Sequence, residues 1–275
     1  MTGGGVIAIC GAGNLGRRYL EGVLHCERVD AVHVHDITEE ALSECQQVVG
    51  NFGAGTAERP VAEVFLHRNL SDLPTRLELA IVATTADARP LVVAQVAAHS
   101  QVRCWILEKV LAQDEAGLEK LVEATSNSLA WVNTSRRNSD WYRHLCDLIQ
   151  GGGPISMRVS GGDWGLACNA VHFLDLLAWW SDEVPQRTDT SNLESTWGAS
   201  KRKGFREVFG SMSITYSAGS NLTLVARHEP ETIVIDVEVG GLTWVIDESE
   251  GVARRSDGLE RVGFLELQSR MTPGL

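Results

Sequence analysis

The stretch ICGAGNLGRRYL (residues 9–20) decides how the rest of the chain is read. Gly11, Gly13 and Gly16 form a G-x-G-x-x-G, a spacing found in dinucleotide-binding loops and in ordinary glycine-rich turns alike. With 27 glycines in 275 residues, three of them at Gly3, Gly4 and Gly5, the pattern alone is weak. Its surroundings carry the reading. The apolar run GVIAIC (5–10) enters the loop as a buried strand, and Leu15, Tyr19, Val23 and Cys26 follow at helical spacing. In that setting Gly11 allows the tight turn, Gly13 lets the backbone approach a pyrophosphate, and Gly16 lets helix and strand pack closely. The helix start at Asn14 and Leu15 offers N–H groups and positive potential to phosphate oxygens. A second strand, AVHVHD (31–36), ends in Asp36, 20 residues past Gly16, where a carboxylate binds ribose hydroxyls. Asp36 repels a 2′-phosphate, and Ile37-Thr38-Glu39-Glu40 supplies no cation to hold one. NAD is therefore expected, with NADP disfavoured. Arg17 and Arg18 are expected to face phosphate or solvent.

Working outward, the first half of the chain alternates short apolar runs with helical patterns. Helix 38–49 has Thr38 as N-cap and an acidic first turn. Strands follow at 61–66, 79–84, 103–109 and 129–133. Helices run from Pro90, in a first turn, to about Ala98 and over 114–126. Strands separated by helices imply parallel pairing with right-handed crossovers. After a helix at 139–150 comes Gly151-Gly152-Gly153-Pro154, a candidate domain boundary. One helix, VHFLDLLAWW (171–180), is then followed by alternating segments: SMSITYS, NLTLVARH, TIVIDVEV and LTWVIDE. Turn signals separate them, which is the pattern of antiparallel strands. The expected fold is α/β: an N-terminal Rossmann parallel sheet (1–133) and a C-terminal α+β domain on an open, mainly antiparallel sheet (134–275).

Composition narrows the function classes. An apolar share of 44% and a charged share of 22% fit a globular protein. The net charge of −12 argues against nucleic acid or an anionic membrane surface as partner. No run approaches a membrane span, and MTGGGVIAIC does not read as a signal peptide. The six cysteines are scattered without C-x-x-C or Cys/His grouping, the usage of a reducing cytoplasm. No metal site is expected. His33 and His35 share a strand face, but further ligands are missing from the pattern, and packing explains them.

Three later motifs add a resemblance. Glu108-Lys109 closes the fifth strand, Ser135-Arg136-Arg137 with Tyr142 follows the sixth, and His172-Phe173-Leu174-Asp175 lies on the helix entering the second domain. In this order and spacing, over about residues 5–235, the chain resembles the glucose–fructose oxidoreductase / inositol dehydrogenase / rhizopine-catabolism (Gfo/Idh/MocA) family. Members carry Glu-Lys-Pro, a double arginine and Asp-x-x-x-His-x-x-Asp at these places. Here Val110 replaces the proline, Thr84-Thr85-Ala86-Asp87-Ala88-Arg89 replaces a Thr-Pro and a nearby His, and Cys168 replaces the first aspartate, with Asn169 beside it. Leu267–Thr272 looks like the lead-in to the family's C-terminal helix, so either this member is trimmed or a tail is missing from the sequence.

The resemblance implies an NAD-dependent oxidoreductase acting on a sugar, polyol or nucleotide sugar, and a homo-oligomer formed through the C-terminal sheet. Lys109 and His172 would be catalytic, converging on one pocket: Lys109 on the substrate oxygen, His172 exchanging the hydroxyl proton. Lys109, Asn169, His172 and Asp175 would meet substrate. Gly11, Gly13, Asn14, Leu15, Gly16, Asp36, Thr84, Glu108 and Arg137 would bind the cofactor. Asp175, three residues after His172 on the helix, would orient the imidazole or bond local backbone. Lys201-Arg202-Lys203 with Arg206 reads as a solvated loop or a diphosphate contact. Trp179 and Trp180 read as core or interface. Two alternatives stay open: a non-catalytic NAD/sugar-sensing regulator, and a lyase or epimerase using bound NAD transiently.

Overall fold

The computed structural model describes residues 4–55, 62–200, 204–258 and 261–263. The chain divides into two compact units, residues 1–133 and 134–275. In the first, β1 (Gly5–Cys10), α1 (Asn14–Leu24), β2 (Val29–His35), α2 (Glu39–Gly55), β3 (Glu63–His67), β4 (Arg76–Val82), α3 (Arg89–His99), β5 (Gln101–Leu107), α4 (Glu115–Thr125) and β6 (Leu129–Val132) follow in turn. The strands form one parallel sheet in the order β3-β2-β1-β4-β5-β6. The order reverses between β1 and β4, and ligands of open α/β sheets bind beyond the carboxyl ends at such a point.

Burial on both faces explains the continuous apolar runs of the central strands. Ile7 and Ile9 of β1, with Val32 and Val34 of β2, pack on one face with Leu20 and Val23 of α1 and Leu42 of α2. Ala8, Cys10, Ala80, Val82, Trp105 and Leu107 pack on the other with Val93, Val96 and Leu121 of α3 and α4. Helix starts use local chemistry. Asp114 caps α4 by accepting from the Gly117 N–H at 2.7 Å, and α3 opens with Pro90 in its first turn.

The second unit contains α5 (Asp140–Ile149), β7 (Ser156–Gly161), α6 (Leu166–Ser181), β8 (Pro185–Leu193), β9 (Gly198–Ala199), β10 (Arg206–Glu207), β11 (Gly210–Tyr216), β12 (Asn221–Ala226), β13 (Val234–Val239), β14 (Leu242–Asp247), β15 (Val252–Arg255) and β16 (Arg261–Gly263). Its eight-stranded sheet runs β16-β15-β14-β13-β7-β12-β11-β8. All neighbours are antiparallel except β7 and β12, which are parallel. Trp141, Leu145 and Ile149 of α5 and Phe173, Leu177 and Trp180 of α6 cluster with Met157, Leu224, Val237 and Trp244 of the sheet. The opposite face carries Arg158, Asp236 and Val245 in neighbouring register.

Several expectations need correction. The fifth strand stops at Leu107, so Glu108 and Lys109 stand in the loop beyond it. Gly151–Pro154 is not a domain boundary: it joins α5 to β7 within the second unit. The helix expected at 171–180 begins five residues earlier, where Gly165 adopts a left-handed conformation (φ 76°) and Glu207 accepts from the Ala167 N–H at 2.7 Å. Tyr216 and Trp244 of the late strands lie in the core. Strand β8 (PQRTDTSNL) has no apolar alternation, and it is an edge strand with eight of nine residues exposed. Lys201–Lys203 and Leu267–Thr272 lie outside the described residues.

Candidate active site

In the first unit the glycine loop joins β1 to α1 and is built from backbone. Gly11 has φ +96°, and a Cβ there would stand 2.9 Å from the Thr84 nitrogen, in the loop after β4. A Cβ on Gly16 would fall 1.9 Å from the Gly11 carbonyl oxygen, so only glycine lets α1 approach the loop this closely. Gly13 differs: a Cβ there would meet nothing within 4 Å. No side chain caps α1 at Gly13, and Gly13, Asn14 and Leu15 are exposed, with Leu15 at 41%. The N–H groups of the first turn thus face open space, where an anion is favoured.

Asp36 stands one residue past β2. Its Oδ2 accepts from the Ala12 N–H at 2.8 Å, and its Oδ1 accepts from the Thr38 N–H and hydroxyl at 2.9 Å each. These bonds fix the carboxylate beside the glycine loop and leave lone pairs for further donors. Thr38 therefore spends its hydroxyl on Asp36. Arg17 pairs with Glu44 of α2 and donates to Asn14 Oδ1 at 2.6 Å. Thr84 Oγ1 is buried without a hydrogen-bond partner. An open first turn, a fixed acid and an orphaned hydroxyl at the sheet's switch point fit a dinucleotide.

Glu108 is only 3% exposed. Its Oε1 accepts from the Tyr19 hydroxyl of α1 at 2.5 Å and from the Asn133 carboxamide at 2.7 Å. Burial, reinforced by Glu108, pushes the Tyr19 phenol far above its ordinary range, so it remains a donor. The carboxylate expected at the cofactor is thus tied between α1 and the end of β6. Lys109 follows, half-buried, and the Lys109–Val110 peptide is cis. Buried Arg89 donates to the carbonyls of Thr84, Val110 and Leu111, linking the loops after β4 and β5.

The two strand histidines are accounted for by packing. His33 Nδ1 lies 2.9 Å from His67 Nε2, its ring stacks on Phe65, and His35 is buried. Burial lowers the pKa of all three histidines. Among the described residues no group of three or more His, Cys, Asp or Glu could hold a metal.

In the second unit the candidate side chains are engaged with one another. Arg137 Nε donates to Asp175 Oδ2 at 2.7 Å, pairing a residue expected on the cofactor with one expected on the substrate. The Arg137 guanidinium also lies 5.8 Å from the Trp179 ring centre. Asn169 donates from Nδ2 to the Trp164 carbonyl at 2.7 Å, closing the first turn of α6. His172 is half-buried one turn along, beside Phe173, which faces the core.

Next to them lies a cluster only partly legible beforehand. Arg136 donates to both oxygens of Glu248, at 3.0 and 2.7 Å, and the Tyr142 hydroxyl donates to Oε1 at 2.6 Å. The guanidinium stacks 4.4 Å from the Phe173 ring centre. Burial opposes the Arg136 charge, but Glu248 outweighs it and raises its pKa. Burial and then Glu248 hold Tyr142 protonated. Glu248 lies 112 residues from Arg136, so no local pattern announces the pair.

No family model matches the sequence, and no curated protein matches it at the level of sequence. Solved structures do match. The myo-inositol 2-dehydrogenase of Lactobacillus plantarum is 17% identical, with a TM-score of 0.68 over 97% of this chain and 84% of its own. The UDP-N-acetylglucosamine 3-dehydrogenase of Acidithiobacillus ferrooxidans is 11% identical, with a TM-score of 0.71 over 95% and 83%. GenD2 from gentamicin A biosynthesis, solved in complex with NAD, is 18% identical, with a TM-score of 0.68 over 90% and 74%. Similarity at this level is a likeness of fold: the chain shares the architecture of Gfo/Idh/MocA-type dehydrogenases.

Proposed function

We propose that the chain is an NAD-dependent oxidoreductase acting on a CH–OH group of a sugar, polyol or nucleotide sugar. The observation that carries this is the open glycine loop at Gly13 with Asp36 fixed beside it by the Ala12 N–H. The structural neighbours named above include inositol and nucleotide-sugar dehydrogenases and a complex with NAD, which supports the same reading.

The residues divide the work as follows. Amides of the Gly11–Gly16 loop, with Asn14 and Leu15, bind the pyrophosphate, Asp36 takes the ribose hydroxyls, and Thr84 gives its hydroxyl to the cofactor. When bound, the nicotinamide supplies the acceptor for a hydride leaving the CH–OH carbon. Lys109 holds the substrate oxygen and stabilises the alkoxide that develops there. His172 takes the hydroxyl proton, leaving a carbonyl. Asn169 and Asp175 contact substrate and Arg137 contacts the cofactor, the last two exchanging their mutual bond to do so. Glu108, held by Tyr19 and Asn133, borders the cofactor. Assembly of copies through the open face of the second sheet, in a reducing cytoplasm that leaves all six cysteines free, completes the reading.

The test is NADH formation from NAD+ with a panel of inositols, aldoses and UDP-sugars. Turnover is expected with at least one, lowered about 10²–10⁴-fold in Lys109→Ala and in His172→Ala. Product without net NADH would favour internal redox, and ligand binding without turnover would favour a sensor.

A further inference from the structure

Arg89 is 2% exposed, and its guanidinium points into backbone. From Nη2 it donates to the Thr84 carbonyl, and from Nη1 to the carbonyls of Val110 and of Leu111, the latter at 3.2 Å. Thr84 belongs to the loop after β4, and its nitrogen, with the Ala83 carbonyl carbon, stands 2.9 Å from where a Cβ on Gly11 would be. Val110 and Leu111 directly follow Lys109. One planar cation therefore bridges the loop that supports the glycine turn and the loop that carries the lysine. Burying a guanidinium is costly unless its donors are engaged, and here both Nη atoms are spent on main-chain oxygens. A lysine could supply the charge but not a rigid fork spanning two loops.

We propose that Arg89 is a positioning residue that sets where Lys109 stands relative to the glycine loop. The inference rests on the reading that Lys109 works at the bound cofactor. Arg89 acts through the carbonyls of Thr84, Val110 and Leu111.

The experiment follows acetylation of Lys109 by mass spectrometry, with and without NAD+, in wild type, Arg89→Ala and Arg89→Lys. Hydrogen exchange at the Val110 and Leu111 amides of the cofactor-free proteins is measured alongside. NAD+ is expected to slow wild-type Lys109 acetylation about tenfold, and less than about twofold in Arg89→Ala. Ethylguanidinium should restore that protection and slow loop exchange, whereas ethylammonium should do neither. Should Arg89→Ala fail to fold, Arg89→Lys carries the test: NAD+ affinity within about threefold of wild type, but protection at least about fivefold weaker. Protection equal to wild type in the variant that folds, or equal rescue by ethylammonium, overturns the proposal. If NAD+ leaves wild-type Lys109 unprotected, the placement of Lys109 at the cofactor is what fails. The exchange rates of cofactor-free Arg89 variants then decide the bridging role: faster exchange upholds it and unchanged exchange overturns it.

Discussion

The two units offer their candidate ligand groups in opposite ways. The first presents backbone: an uncapped helix start, glycines that exclude a side chain at Gly11 and Gly16, and one at Gly13 that leaves the space empty. The second presents side chains already engaged, Arg137 with Asp175, Arg136 with Glu248 and Tyr142, and Asn169 with the Trp164 main-chain carbonyl. Backbone donors are prearranged and lose little entropy on binding. Paired side chains must exchange partners before they meet a ligand. Binding and stability are therefore separable residue by residue in the first unit and entangled in the second.

The largest effect should come from closing the glycine turn. Gly16→Ala places a Cβ 1.9 Å from the Gly11 oxygen, and a loss of about 3 kcal/mol or more is expected in denaturant unfolding. An unchanged midpoint would mean that Gly16 does not hold α1 against the loop. A similar loss, about 3 kcal/mol, is expected in the second unit for Glu248→Ala, which strands the Arg136 charge. Glu248→Gln should lose less, because it retains an acceptor. Smaller again is Asp175→Ala: the pair with Arg137 is partly exposed, with side chains at 42% and 21%, so about 0–1 kcal/mol is at stake. If turnover falls far more than stability, Asp175 serves the substrate. If the two fall together, the residue is structural.

The smallest effect is in pH. Buried Glu183 accepts from the Ser220 hydroxyl at 2.5 Å and from the Ala218 and Ser220 N–H groups at 2.6 and 3.3 Å. Burial works to raise its pKa, but these donors lower it below the ordinary 4.5. A depressed carboxyl contributes stability above the unfolded value and loses it as pH falls through the folded value. The stability gap between wild type and Glu183→Gln should be full at neutral pH and shrink below about pH 4.5. A gap that does not change with pH would show that Glu183 contributes by packing alone.

What could be read beforehand follows from the range of the interactions. The strand–loop–helix unit at Gly5–Leu24 and the acid ending β2 are local features, and each residue's task follows from its neighbours. Strand β8 was invisible because an edge strand with both faces wet needs no apolar alternation. The early start of α6 depends on Glu207, 40 residues away from Ala167. Arg89 read only as a departure from a family pattern, because the carbonyls it binds at Val110 and Leu111 lie 21 and 22 residues on. The resemblance puts Glu108 beside the cofactor, but nothing local announces its bond to Tyr19, 89 residues back.

The central claim is that the first unit's backbone binds NAD, and Gly13 tests it most directly, since a Cβ there meets no protein atom within 4 Å. The measurement is calorimetric titration of wild type and Gly13→Ala with NAD+ and NADP+, with unfolding followed in parallel. Wild type should bind NAD+ at least about tenfold more tightly than NADP+. Gly13→Ala should change stability by less than about 1 kcal/mol while weakening NAD+ by about tenfold or more, because the added methyl stands where the pyrophosphate approaches. Undiminished NAD+ affinity in Gly13→Ala, or wild type that binds NADP+ as tightly as NAD+, would contradict the account.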